Sequence, residues 1–103
     1  MAEYRVEILL PAWEDLNQIA DFHMKMVGPA SAQKITDEIL DAISKLSIFP
    51  LMGSLHWDPV LAQKDYRKVI CGNYVCIYKV IGDVVYIYRM VHGATDYKKD
   101  LTQ

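Results

Sequence analysis

Residues 66–93 read YRKVICGNYVCIYKVIGDVVYIYRMVHG, and the period of this stretch decides the fold. Three runs rich in β-branched and aromatic residues, YRKVI, NYVCIYKVI and DVVYIYRMV, are separated by CGN and by Gly82-Asp83. Such runs read as strands, and the separators are too short for anything but tight turns. The expectation is an antiparallel three-stranded meander. Its last strand ends in His92, Gly93, Asp96 and Tyr97 and carries Arg89 in its middle.

Upstream the period changes. YRVEILL, residues 4–10, alternates imperfectly and then turns apolar, as a strand does on entering the interior of a sheet. Pro11 suits the first turn of a helix, where its missing N–H has no partner to lose. Trp13, Leu16, Ile19, Ala20, His23 and Val27 then recur at spacings of three and four, with Glu14 and Asp15 placed in the first turn. Gly28-Pro29 breaks this helix and opens a second, with Ala32, Ile35, Ile39, Ala42, Ile43 and Leu46 on one face. So short a break predicts an antiparallel helical hairpin covering one side of the sheet. FPLMG, residues 49–53, ends the second helix, and residues 54–65, which include Pro59, have no clear period and read as a loop. His56 and Trp57 are expected to pack locally within it. ATDYKKDL suits a final turn of helix or an ordered tail.

A chain of 103 residues, 52% hydrophobic, fits one α+β domain with a single core. It holds no run of roughly 18 apolar residues, and it does not begin with a basic segment and an apolar block. No membrane association is expected, and the cytoplasm is the expected location. Two cysteines, Cys71 and Cys76, cannot build a disulfide framework. On one extended strand their odd separation points them to opposite faces, and nothing nearby supplies further metal ligands, so neither metal nor cofactor is expected. The net charge of -2 conceals an asymmetry. Residues 1–58 carry 4 basic and 9 acidic side chains, residues 59–103 carry 7 and 4, so the basic residues sit with the sheet. That places positive potential where a polyanion or acidic partner binds, although proteins that live on nucleic acid are usually more basic.

The order strand, helix, helix, loop, three strands, together with WEDLNQIADF, ISKLSIFPLMG, YRKVICGNYVCIYKV and VVYIYRMVHGATDY, resembles the RelE/ParE superfamily of bacterial type II toxins. The likeness spans nearly the whole chain. It rests on Leu46, Pro50 and Gly53, then Arg67, Gly72 and Tyr74, then Arg89, His92, Gly93 and Asp96, in that order and at that spacing. The resemblance implies a toxin that arrests growth, contributes to plasmid stabilisation and is neutralised by a cognate antitoxin. RelE-like members cut messenger RNA on the ribosome, whereas ParE-like members inhibit DNA gyrase; a relative of the same fold that has lost toxicity and serves only as a binding module is the third reading.

A metal-free ribonuclease needs a base for the ribose hydroxyl, a cation for the phosphorane and an acid for the leaving oxygen. For that chemistry the resemblance nominates Arg67, Arg89, His92 and Tyr97, with Lys68, Tyr74 and Asp96 binding target or partner. Strand alternation argues against convergence, because it sets Arg89 with Val85, Ile87 and Val91 and His92 with Tyr86, Tyr88 and Met90 unless a bulge intervenes. Arg89 reads equally as a structural arginine paired with an acid, His92 as the cap of a turn, and Arg67 and Lys68 as charged protection of an edge strand. Tyr74, Tyr78, Tyr86 and Tyr88 read as an aromatic ladder across the hairpin. Low charge and the ending VHGATD favour the ParE-like branch. The helical hairpin could pair two toxins or dock an antitoxin.

Overall fold

The computed structural model describes residues 3–93, 98 and 101. Its elements run β1 (Arg5–Ile8), α1 (Leu10–Met26), α2 (Pro29–Ser44), a single 3-10 turn (Lys45–Ser47), β2 (Ser54–Leu55), α3 (Pro59–Gln63), β3 (Arg67–Cys71), β4 (Tyr74–Ile81) and β5 (Val84–His92). The five strands form one sheet in the order β1-β5-β4-β3-β2. The meander β3-β4-β5 is antiparallel, and β1 pairs parallel to β5, so the first and last strands of the chain lie side by side. Gly72 and Gly82 close the two hairpins with φ of 60° and 61°, the left-handed conformation these tight turns require.

The two helices pack on one face of the sheet. Ala12, Leu16 and Ile19 of α1 and Ile35, Ile39 and Ile43 of α2 meet Cys76, Tyr78, Val85, Ile87 and Met90 in the main core. The stripe on α1 is narrower than its apolar spacing suggests, since Trp13 and Val27 are exposed and Asp15 is buried in their place. The helix starts at Leu10, so Glu14 and Asp15 fall in its second turn rather than its first. A second, smaller cluster of Leu61, Tyr66, Val75, Ile77, Val91 and Leu101 lies apart from the helices, covered by α3 and by Leu101. Residues 54–65 are thus not a plain loop: they contain β2 and α3. Asp58 caps α3, its carboxylate accepting from the amides of Val60 at 2.8 Å and Leu61 at 3.3 Å.

The cysteines also differ from expectation. Cys71 ends β3 and Cys76 lies in β4, so a hairpin separates them and both thiols are buried in the main core. The hydrogen bond between them holds the Cys71 thiol below its ordinary pKa and, with burial, raises that of Cys76. No described helix is long and apolar enough to cross a membrane.

Candidate functional site

One irregularity in β5 places its functional side chains. Ile77 of β4 faces Arg89, but the next residue, Tyr78, faces Ile87, so Tyr88 is an extra residue and β5 bulges there. The phase of the strand shifts by one. Val85, Ile87 and Met90 enter the main core, while Tyr88 and Val91 pack with the second cluster, so the simple alternation expected for this strand holds only up to Ile87.

Beyond Ile87, β5 loses β1 as a neighbour, and α1 takes its place. The Leu9 amide makes the last strand-like bond, to the Ile87 carbonyl at 3.0 Å. One and a half turns along the helix, Asp15 meets the bulge. Its Oδ2 accepts from Arg89 Nε at 2.6 Å and from the Met90 amide at 3.0 Å, and its Oδ1 accepts from Arg89 Nη2 at 3.0 Å. This is a two-pronged charge-assisted pair, and the same carboxylate satisfies an amide that β1 no longer covers. Arg89 is therefore ion-paired at the helix–sheet seam.

His92 lies in the same seam. Its ring packs edge-on against Tyr74, its cross-strand partner, with 5.9 Å between centroids. The Tyr74 hydroxyl is 3.1 Å from His23 Nε2, and His23 Nδ1 is 3.0 Å from Ser31 Oγ, so a chain of polar contacts runs from α2 through α1 to the end of the sheet. Asp15, Tyr74, Arg89 and His92 line one shallow cleft of about 220 Å³. The bulge does not put Arg89 and His92 in one phase, because both follow it in regular register, opposite Ile77 and Tyr74.

Arg67 and Lys68 are elsewhere, on β3 beside β2. Arg67 Nη1 donates to the Gly53 carbonyl at 2.7 Å. The Lys68 ammonium bonds to Ser54 Oγ and lies 4.5 Å from the centre of the Trp57 ring. Their tight approach explains Gly53, where a Cβ would come within 2.5 Å of the Lys68 carbonyl and 2.6 Å of the Tyr78 hydroxyl. Asp96 and Tyr97 lie outside the described residues.

The aromatic ladder is not formed. Tyr78 is buried under the helices, its hydroxyl donating to Pro50 O at 2.9 Å and accepting from Gly53 N at 3.0 Å. Tyr74 belongs to the cleft, and Tyr88 pairs with Tyr66 edge to face at 5.1 Å. Lys79 sits 4.1 Å from the Tyr66 ring and 5.8 Å from Tyr88, and burial raises the pKa of both phenols. Sequence reasoning missed Asp15 as a partner, His23 as a polar contact, and Tyr66 with Lys79. Only Asp15 carried a signal, as an acid among the spacings of an apolar stripe.

A helical hairpin laid on a sheet whose first strand pairs parallel with its last is the architecture of the RelE/ParE superfamily of toxins. The family model described as the ParE toxin of the type II toxin-antitoxin system parDE matches residues 6–97. The chain belongs to that family. Its fold is similar to a chain from the chromosomal ParDE toxin-antitoxin system of P. aeruginosa, at a TM-score of 0.74 and 19% identity over 87% of this chain and 96% of that one. It is also similar to a chain from the toxin-antitoxin complex RelBE2 of Mycobacterium tuberculosis, at 0.65 and 20% over 87% and 98%. No curated protein matches the sequence significantly.

Proposed function

We propose that this toxin arrests growth by binding DNA gyrase, that it acts in the cytoplasm, and that a cognate antitoxin neutralises it. One observation carries the choice of target. Each cation that a ribonuclease of this fold would aim at a phosphate already has a partner within the protein: Arg89 is held by Asp15, Arg67 by the Gly53 carbonyl, and Lys68 by Ser54 and the Trp57 ring. Transition-state stabilisation requires donors aimed at the developing charge, and donors already spent on carboxylate and carbonyl oxygens contribute little. Binding a protein target makes no such demand.

A second reading draws on the cleft. Because Arg89, Tyr74 and His92 line it together, a ribosome-dependent ribonuclease would have its cation and its acid or base within one surface. One experiment separates the two. The protein is induced alone, and incorporation of labelled thymidine and methionine is followed over the first minutes, alongside supercoiling by purified gyrase. The gyrase reading expects early loss of thymidine incorporation and inhibited supercoiling, with His92→Ala as toxic as the parent. Early loss of methionine incorporation with codon-phased messenger cleavage, abolished by His92→Ala, would overturn it in favour of the ribonuclease.

A further inference from the structure

The edge of the sheet formed by β1 has a charge pattern that complements itself. Among the described residues β1 is the terminal strand of the sheet and pairs with β5 alone. The amides of Arg5 and Leu9 donate to Asp83 O at 3.1 Å and Ile87 O at 3.0 Å, so the odd-numbered residues direct their backbone groups inward. Val6 and Ile8 consequently direct theirs outward, into the lane a sixth strand would occupy. The lane is bounded at one end by Ser47, whose carbonyl accepts from the Tyr4 amide at 2.8 Å, and at the other by the start of α1 at Leu10.

Arg5 and Glu7 flank Val6 on one face of the strand, with Arg5 Nε and Glu7 Oε1 3.2 Å apart and both side chains well exposed, at 67% and 46%. A strand with a cation one residue before its centre and an anion one residue after it matches its own antiparallel copy. With a two-fold axis at Val6, the two Val6 residues exchange a pair of N–H to O=C bonds. Each Arg5 then faces the second copy's Glu7. Centring the pair on Glu7 instead opposes two carboxylates, and centring it on Arg5 opposes two guanidiniums; like charges directly opposite destabilise a strand pair. The charges thus select one register. A partner of different sequence would need the opposite order of charges at this spacing, whereas a second copy supplies it by symmetry.

The geometry points to a homodimer of this toxin formed by antiparallel pairing of β1 with β1 about Val6, joining two five-stranded sheets into one. The lane is only three to four residues long, so the contact falls short of the roughly 800 Å² per partner of a stable complex, and the dimer is weak and concentration-dependent. Sedimentation velocity of the purified chain over a wide concentration range tests it. The parent is expected to pass from monomer to dimer as concentration rises. Arg5→Glu and Glu7→Arg, each with an unchanged circular dichroism spectrum and melting temperature, are expected to weaken association at least tenfold, and the double swap R5E/E7R to restore it.

A parent that stays monomeric throughout overturns the proposal. So does a dimer indifferent to both single reversals, which would place the contact on another surface. If the chain is monomeric and the single reversals instead weaken antitoxin binding, the lane belongs to a strand of the antitoxin and the homodimer is excluded. None of these outcomes depends on whether gyrase or messenger RNA is the target.

Discussion

Asp15 concentrates three bonds on one carboxylate, two from the Arg89 guanidinium and one from the Met90 amide, with side-chain exposures of only 11% for Asp15 and 20% for Arg89. Removing one member of such a pair leaves the other's charge short of partners in a poorly solvated seam. Asp15→Asn keeps the shape and an acceptor for the amide but loses the charge, and is expected to cost about 2–3 kcal/mol. Asp15→Ala is expected to cost more, because the Met90 amide is then also orphaned. Urea unfolding of both variants is the check; a cost under about 0.5 kcal/mol for Asp15→Asn, the level of an ordinary surface change, contradicts this account. The interaction also shows why Arg89 was ambiguous in sequence. An arginine in an apolar strand announces that it needs a partner, but the partner is 74 positions away and strand periodicity carries no trace of it.

At the scale of elements, the long regular pieces were legible and the short ones were not. Helices α1 and α2 and the three meander strands are long enough for apolar spacing to accumulate into a period. Elements β2, of two residues, and α3, of five, are too short for any period, although Asp58-Pro59 carried a signal in the pairing of a capping acid with a helix-opening proline. The bulge at Tyr88 was illegible for a different reason: an inserted residue inverts the pattern after it, and the aromatic and apolar residues of YIYRMV suit either phase. The link between β2 and α3 is expected to make stability depend on pH. His56 Nδ1 accepts from the Asp58 amide at 3.0 Å, which requires that nitrogen to be unprotonated. Burial lowers the ring's pKa from 6.5, Asp58 opposes this, and Lys68 adds to it. A depressed folded value means stability that is present above pH 6.5 and lost as pH falls through the folded pKa. Urea unfolding at pH 7.5 and 5.5 is therefore expected to show a loss on acidification that His56→Gln reduces; an equal loss in both proteins excludes His56 as its source.

The whole molecule is a sheet with two unequal cores. The helices supply the larger, while the smaller depends on α3 and on Leu101, whose carbonyl also accepts from the Tyr66 hydroxyl at 3.3 Å. The ion pair between Lys98 Nζ and Asp58 Oδ2 at 3.0 Å lies beside the same covering, so Lys98 and Leu101 both meet the face opposite the helices. Leu101→Ala removes a side chain only 9% exposed and is expected to cost about 2 kcal/mol. Hydrogen exchange should quicken at Tyr66 and Val75 before it does at Ile39; uniform acceleration would mean that the two cores unfold as one. The ring stacked under Lys68 gives the molecule one more property. The chain has 2 tryptophans, and Trp57 lies beneath an ammonium and against the His56 ring, whereas Trp13 stands on the outer side of α1. A cation held over the indole face is expected to alter its emission, so Trp57 is expected to report on its surroundings separately from Trp13. A single-tryptophan variant retaining Trp57 turns any ligand that reaches β3 into an optical signal, with no label attached.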